Sequence, residues 1–205
     1  MDPLGKKELI TFYDMHLKHF GDRPQAVRWT HEGQIRRYEK FLEIIGNCND
    51  KSILDFGCGK GDFYGFLNDK NISVSYCGID INENLISLAN KKYKDTQAKF
   101  IAIDIDETEI GKNFDIVIAC GVFNLRIAGI EELLKQTLKK LFSICKESLH
   151  ACFLTDYIPY KDVELFYVKP GEILDFVIKE ISEDVVLRHN KEDIYLSIYR
   201  GKETL

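Results

Sequence analysis

Hydrophobic positions divide the chain into two unlike parts. Over the first 47 residues they recur at helical spacing: Leu4, Leu9, Phe12, Tyr13, Leu17 and Phe20 form one stripe, broken at Gly21-Asp22-Arg23-Pro24. Ile35, Tyr38, Phe41, Leu42 and Ile45 form a second, and Gly46-Asn47 reads as its stop. From Lys51 onward short apolar runs alternate with amphipathic stretches. Strands are predicted over 52–56, 74–80, 99–104, 114–120 and 150–155, with helices over 61–68, 83–93, 130–146 and 170–181 between and after them. The run FDIVIAC at 114–120 is almost wholly apolar, as a strand buried on both faces should be. The tail, 185–189 and 194–199 joined across Asn190 to Asp193, reads as a hairpin.

Strand–helix alternation implies a mostly parallel sheet covered by helices on both sides, a three-layer α-β-α sandwich with seven strands and a C-terminal antiparallel hairpin. A chain of 205 residues fits one such domain. We expect residues 1–47 to form an N-terminal helical lid and 48–205 the core. Ligands of open α/β sheets bind at the carboxyl ends of the strands, where strand order reverses. The turns after the first four strands are therefore where chemistry is expected.

The turn after the first strand reads Asp55-Phe56-Gly57-Cys58-Gly59-Lys60-Gly61. Glycines permit backbone angles closed to other residues and let a ligand lie against the main chain. The helix that follows points free N–H groups at the same place. A dinucleotide turn would be G-x-G-x-x-G with a pyrophosphate on the helix N-terminus. Here the spacing is G-x-G-x-G, with an acid two residues ahead. A carboxylate facing the turn opposes a phosphate and suits a ligand with an amino group, which also argues against a nicotinamide-dependent oxidoreductase.

With this turn the chain resembles the Rossmann-like, class I S-adenosylmethionine-dependent methyltransferases, whose first motif is an acid followed by G-x-G-x-G. The resemblance covers about residues 50 to 200. It implies S-adenosyl-L-methionine as cofactor, S-adenosyl-L-homocysteine as product, and the following roles. Asp55, Gly57, Cys58, Gly59 and Gly61 form the cofactor turn. Asp80, ending the second strand, holds the ribose hydroxyls, and Ile81 packs on the adenine. Asp104, ending the third strand, reads the adenine amine with the backbone of Ile105. The fourth strand delivers Cys120 to Asn124 to the place where cofactor and acceptor meet. Trp29, Gln34 and Arg37, the most unusual polar cluster of the first part, are expected over the cofactor, with Gln34 or Arg37 on its carboxylate.

Methyl transfer from a sulfonium is an in-line displacement in which positioning can supply most of the rate, so no fixed catalytic signature is required. Asn124, Arg126 and Tyr157 are the candidates for the acceptor side. The segment after the fourth strand lacks a D/N-P-P-Y/F motif, and Cys120 is not preceded by proline, so neither base-amine nor cytosine-carbon methylation is suggested. The expected acceptor is a small molecule methylated at oxygen or nitrogen. The alternatives are a methyltransferase acting on protein or RNA and a non-catalytic, cofactor-binding member.

Composition narrows the partners. Net charge is −5 from 28 basic and 33 acidic residues, and a mildly acidic chain lacks the basic face that nucleic acid requires. Six cysteines form no C-x-x-C pair and no zinc spacing, so reduced thiols and no metal are expected. No apolar run reaches the roughly 20 residues of a membrane span, and the charged first 20 residues lack a signal-peptide core. These features predict a cytoplasmic protein; nothing in the pattern specifies an oligomeric state.

Overall fold

A computed structural model describes residues 1–108, 110–111 and 114–201. Among them the elements run α1 (Pro3–Phe20), a 3-10 turn (Pro24–Val27), α2 (His31–Ile45), β1 (Ser52–Phe56), α3 (Asp62–Asp69), β2 (Ser75–Asp80), α4 (Glu83–Lys92), β3 (Lys99–Ala102), β4 (Phe114–Cys120), α5 (Ile130–Ile144), β5 (Cys145–Leu154), α6 (Pro170–Glu180), β6 (Val185–Asn190) and β7 (Asp193–Tyr199). The strands form one sheet in the order β3-β2-β1-β4-β5-β7-β6. Strands β1 to β5 pair in parallel, while β7 runs antiparallel to both β5 and β6. Strand order reverses between β1 and β4, so the crevice lies beyond their carboxyl ends.

The period-2 geometry of a strand sends alternate side chains to opposite faces, and β4 uses both. Val117 and Ala119 join the core beneath α5 and α6, with Leu54, Leu138, Leu149 and Val177. Ile116 and Ile118 join the core beneath α2, α3 and α4, with Ile53, Phe41, Phe63 and Ala89. Two apolar layers of this kind are what make the sheet buried and the order of its strands unique.

Several boundaries differ from the sequence reading, two of them with a clear local cause or consequence. β5 starts at Cys145, not His150, because the chain leaves α5 at Ile144 directly into extended backbone (φ −88°, ψ 149° at Cys145). The exposed Lys146 and Glu147 hide that start from a search for apolar runs. β3 ends at Ala102, so Asp104 stands two residues beyond the strand.

The helices of the first part lie across the strand ends. Asp2 caps α1 through the amides of Leu4 and Gly5. Lys6 reaches Asp104 at 2.6 Å, and Asp14 accepts from the side-chain amides of Asn82 and Asn84 at 2.9 Å each. α2 is anchored at its middle: Arg36 and Arg37 converge on Asp193, only 1% exposed at the start of β7.

Candidate active site

The glycine turn is hung from the end of β2. The amides of Gly57 and Cys58 both donate to the Ile79 carbonyl, at 2.8 and 3.1 Å, and the Gly59 amide donates to Asp80 Oδ2 at 2.9 Å. Gly57 sits at φ +70°, and a Cβ there would fall 2.4 Å from Val122 Cγ2. No L-residue fits that combination without movement.

Beyond this turn lies a cleft with about 1090 Å³ of atom-free space, its solvent-open mouth included. Its walls come from the turn (Gly57, Cys58, Gly59, Lys60), from the ends of β2 and β3 (Asp80, Ile81, Asp104, Ile105), and from the segment after β4 (Gly121, Val122, Phe123, Leu125). α1, Trp29 and Gln34 close it from above.

Asp80 stands at its centre. One oxygen accepts from Gly59 and the other from the Asn82 amide, both at 2.9 Å. Burial raises its carboxyl above the ordinary value, against the backbone amides of Asn82, Gly59 and Ile81 that stabilise the anion. Each oxygen retains a lone pair for a donor in the cleft. Burial also lifts the neighbouring Tyr13 hydroxyl to about 12, with the charge of Asp80 adding to the effect.

At the other end of the turn Lys60, 2% exposed, donates to both oxygens of Asp62, at 2.8 and 2.6 Å. Gln34 Nε2 donates to Asp62 Oδ2 at 2.9 Å. Burial pushes the Asp62 carboxyl up, but Lys60 and Lys92 outweigh it and hold it below the usual range. The cleft thus presents a carboxylate, an ammonium and an amide together. Sequence reasoning missed Lys60 and Asp62, although a lysine inside a glycine turn and an acid in the first turn of α3 were both visible. It also missed Tyr13 and Tyr38, which look like ordinary stripe residues.

Of the residues expected at the cofactor, Gly57, Cys58, Gly59, Asp80, Ile81, Asp104, Ile105, Gln34 and Trp29 line the cleft. Asp104 does so with one oxygen held by Lys6 and the other by the Asp106 amide at 2.9 Å. Others stand elsewhere. Asp55 points to the same face as Ile53, two residues before it, and is buried behind the turn, where the Tyr76 hydroxyl donates to it. Burial lifts its carboxyl to about 7. Gly61 caps α3, packed against Phe100 and Tyr93 and outside the lining of the cleft. Cys120 lies beside Cys152 on the adjacent strand, and burial pushes its thiol up. Arg37 is turned from the cleft by Asp193, 2.8 Å away, and lies 4.9 Å over the Trp29 ring.

The three acceptor-side candidates also differ from expectation. Asn124 does not line the cleft but stands directly behind Gly121, its Nδ2 3.1 Å from where a Cβ of Gly121 would be. Arg126 is exposed and spends its Nε on the Leu165 carbonyl at 3.2 Å. Tyr157 is 72% exposed and packs on His189. Loop sequence carries no information about which way these side chains turn.

Among the described residues no group of His, Cys, Asp and Glu could hold a metal ion, and no helix is long and apolar enough to cross a membrane.

Known proteins resemble this chain in sequence and in fold. A family model described as a methyltransferase domain matches residues 54–147, the span from β1 to the start of β5. The chain is 24% identical over 156 residues to Rv1506c of Mycobacterium tuberculosis, a methyltransferase by name, covering 73% of this chain and 92% of that protein. It is 32% identical over 89 residues to malonyl-[acyl-carrier protein] O-methyltransferase of Acetivibrio thermocellus, covering 42% of this chain and only 31% of that relative. Among solved structures, magnesium protoporphyrin IX methyltransferase of Synechocystis with bound S-adenosylmethionine superposes with a TM-score of 0.71 at 18% identity, over 96% of this chain and 97% of that one. The seven-stranded sheet with its reversed last strand is the Rossmann-like fold shared with that structure.

Proposed function

We propose that the chain is an S-adenosylmethionine-dependent methyltransferase that methylates an oxygen or nitrogen of a small molecule, a reading supported by the methyltransferase-domain model over residues 54–147 and by the fold shared with a structure that holds this cofactor. The observation that carries the cofactor reading is the Asp80 carboxylate. Both its oxygens are oriented by backbone amides, each keeps capacity to accept, and the residue lines the cleft, as a ribose diol requires. Ile81 and Ile105 flank the adenine, and Asp104 meets its amine edge. Lys60 and Asp62 supply complementary charge, and Gln34 a neutral amide, to the carboxylate and ammonium of the amino-acid end. Asp62 and Asp80 beside the glycine turn oppose a pyrophosphate, which disfavours a dinucleotide.

When bound, the cofactor supplies a methyl group on a positively charged sulfur. The chain's own residues do the rest. The turn and Asp80 fix the nucleoside, and Trp29, laid against Gly121, shields the far side from water. α1 and the segment through Trp29 act as a lid over a core that begins near residue 48. Exclusion of water and alignment of the reacting atoms account for rate without a dedicated base. The small-molecule reading draws on the enclosed cleft, and on similar proteins whose names give small molecules, magnesium protoporphyrin IX and plantazolicin, as substrates.

Trp29 is the only tryptophan in the chain, so its fluorescence reports on the site directly. S-adenosylhomocysteine should change the emission and raise Tm, while NAD should do neither. With radiolabelled S-adenosylmethionine and a cell extract, label should pass to the low-mass fraction. Label confined to protein or RNA would overturn the small-molecule reading.

A further inference from the structure

The sheet ends in two unlike edges. β3 is four residues long and begins with Lys99. Ile103 donates its N–H to the Asp80 carbonyl, so alternation turns the Phe100 carbonyl outward, where the Asn90 side-chain amide takes it at 3.0 Å. Short length, a lysine and a covered carbonyl are devices that keep an edge from pairing. β6, at the other end of the sheet, has none of them. Val185–Asn190 runs six residues in unbroken register with β7, without lysine, proline or bulge. Tyr199 donates its N–H to the Asp184 carbonyl at 2.9 Å. Asp184, Val186 and Arg188 therefore turn their backbone groups toward β7, and those of Val185, Leu187 and His189 face outward. Side chains alternate too. Val185 and Leu187 pack on the core beneath α6, whereas Val186 is 50% exposed on the other face, between exposed Asp184 and Arg188.

We propose that β6 is the surface on which a second copy of this chain docks, the two strands pairing antiparallel about a two-fold axis at Val186. Such an interface uses the same patch on both copies and must be complementary to itself. Outward-facing backbone groups have to meet outward-facing ones, so the axis passes through a residue and not between two. Centred on Val186, the pairing sets Val185 opposite Leu187 of the second copy, and Leu187 opposite its Val185, exchanging main-chain hydrogen bonds between apolar residues. On the other face Asp184 stands opposite Arg188, and Arg188 opposite Asp184, on either side of Val186 against its own copy. Opposite charges directly across an antiparallel pair are favourable. Arg188 already donates to Glu43 of α2 at 2.7 Å, and a guanidinium has donors enough for both carboxylates. The neighbouring registers lose this match. Centred on Val185 or on Leu187, the exposed valine faces a charged residue; centred on Arg188, two guanidiniums face each other.

The readout is the oligomeric state of the full chain, which needs no ligand and so stands apart from the function proposed above. An edge-to-edge contact lies at the small end of specific interfaces, and dissociation in the micromolar range is expected. Wild-type protein should sediment as a dimer at about 100 μM. Val186→Lys puts like charges opposite each other at the axis and should leave a monomer at that concentration, with Tm unchanged because the position is exposed. Asp184→Arg and Arg188→Asp should each give a monomer, and the two combined should restore the dimer, since the charges are then exchanged on both copies. Val186→Cys tests the register. Residues opposite each other in a non-hydrogen-bonded pair have Cα atoms about 4.5 Å apart, within reach of a disulfide. Under copper-phenanthroline oxidation this variant should run as a covalent dimer on a non-reducing gel, while the wild-type chain, with its six native cysteines, should not. A wild-type monomer at about 100 μM, a dimer indifferent to Val186→Lys, a charge-exchanged variant that stays monomeric, or a Val186→Cys that does not cross-link overturns the inference.

Discussion

The carboxylate of Asp80 accepts the backbone N–H of Gly59 at 2.9 Å, so the acid that closes β2 is joined to the turn that follows β1. One side chain therefore sets both the shape of the glycine turn and the place where a diol can bind. Without it the turn would keep its two bonds to Ile79 but lose its link to the ligand.

Asp80→Ala should therefore weaken S-adenosylhomocysteine binding about a hundredfold or more, the loss expected for two hydrogen bonds to a charged group at about 1.5–3 kcal/mol each. Calorimetry measures it. Affinity within threefold of wild type would remove Asp80 from the ribose. Asp80→Asn should fall between, since an amide offers a single accepting oxygen to the two backbone donors.

Gly57→Ala should lower both stability and cofactor affinity. The substitution meets two obstacles, a left-handed φ that costs a non-glycine residue about 1–2 kcal/mol and a methyl 2.4 Å from Val122. Adding Val122→Ala should recover the packing part only. Chemical denaturation of the two single variants and the double separates the contributions; full recovery in the double would show that the backbone angle carries no strain.

The frame of the molecule was legible because it is written in periodicity. β1 and β4 have the predicted bounds, and Asp80 and Asp104 stand at or just past a strand end. What escaped was side-chain direction. Asp55 heads a recognisable motif, yet strand alternation sends it behind the turn, toward Tyr76. Arg37 has the charge to hold a carboxylate, but its partner, Asp193, lies over 150 residues away, in what reads as a hairpin turn. Lys60 was passed over because nothing in a linear reading shows that a loop lysine will be enclosed. Local pattern fixes elements, whereas contacts between distant segments decide which polar groups are free.

Arg28 should govern how fast the site opens. It donates to Glu164 at 2.6 Å and to Asp162, fastening the lid to the loop before α6. Arg28→Ala should speed dissociation of S-adenosylhomocysteine several-fold, followed by Trp29 fluorescence in a chase experiment. Global stability should move by no more than about 1 kcal/mol, because these are partly exposed ion pairs. High salt should speed the wild-type protein toward the variant. An unchanged release rate would mean the lid is not held at this point.

Asp55 and His150 should give the protein opposite sensitivities to pH. Burial lifts the Asp55 carboxyl from 3.8 to about 7. The folded state therefore binds this proton more tightly than the unfolded chain, and its stabilisation, complete below about pH 4, fades as pH rises to 7. Burial lowers His150 from 6.5 to about 4, with the ring held between the hydroxyls of Ser148 and Ser197 at 2.8 and 2.9 Å. Here the neutral form is favoured, so the contribution is complete above pH 6.5 and is lost as pH falls toward 4. Asp55→Asn, which keeps an oxygen for the Tyr76 hydroxyl, should raise Tm at pH 8 and leave it nearly unchanged at pH 4. His150→Asn should lower Tm at pH 8 by breaking the serine bridge, yet flatten the decline between pH 6.5 and 4. Thermal melts across that range test both signs. A gain for Asp55→Asn that is equal at pH 4 and pH 8 would mean the carboxyl titrates alike in the folded and unfolded chain, and the effect would then belong to packing rather than to titration.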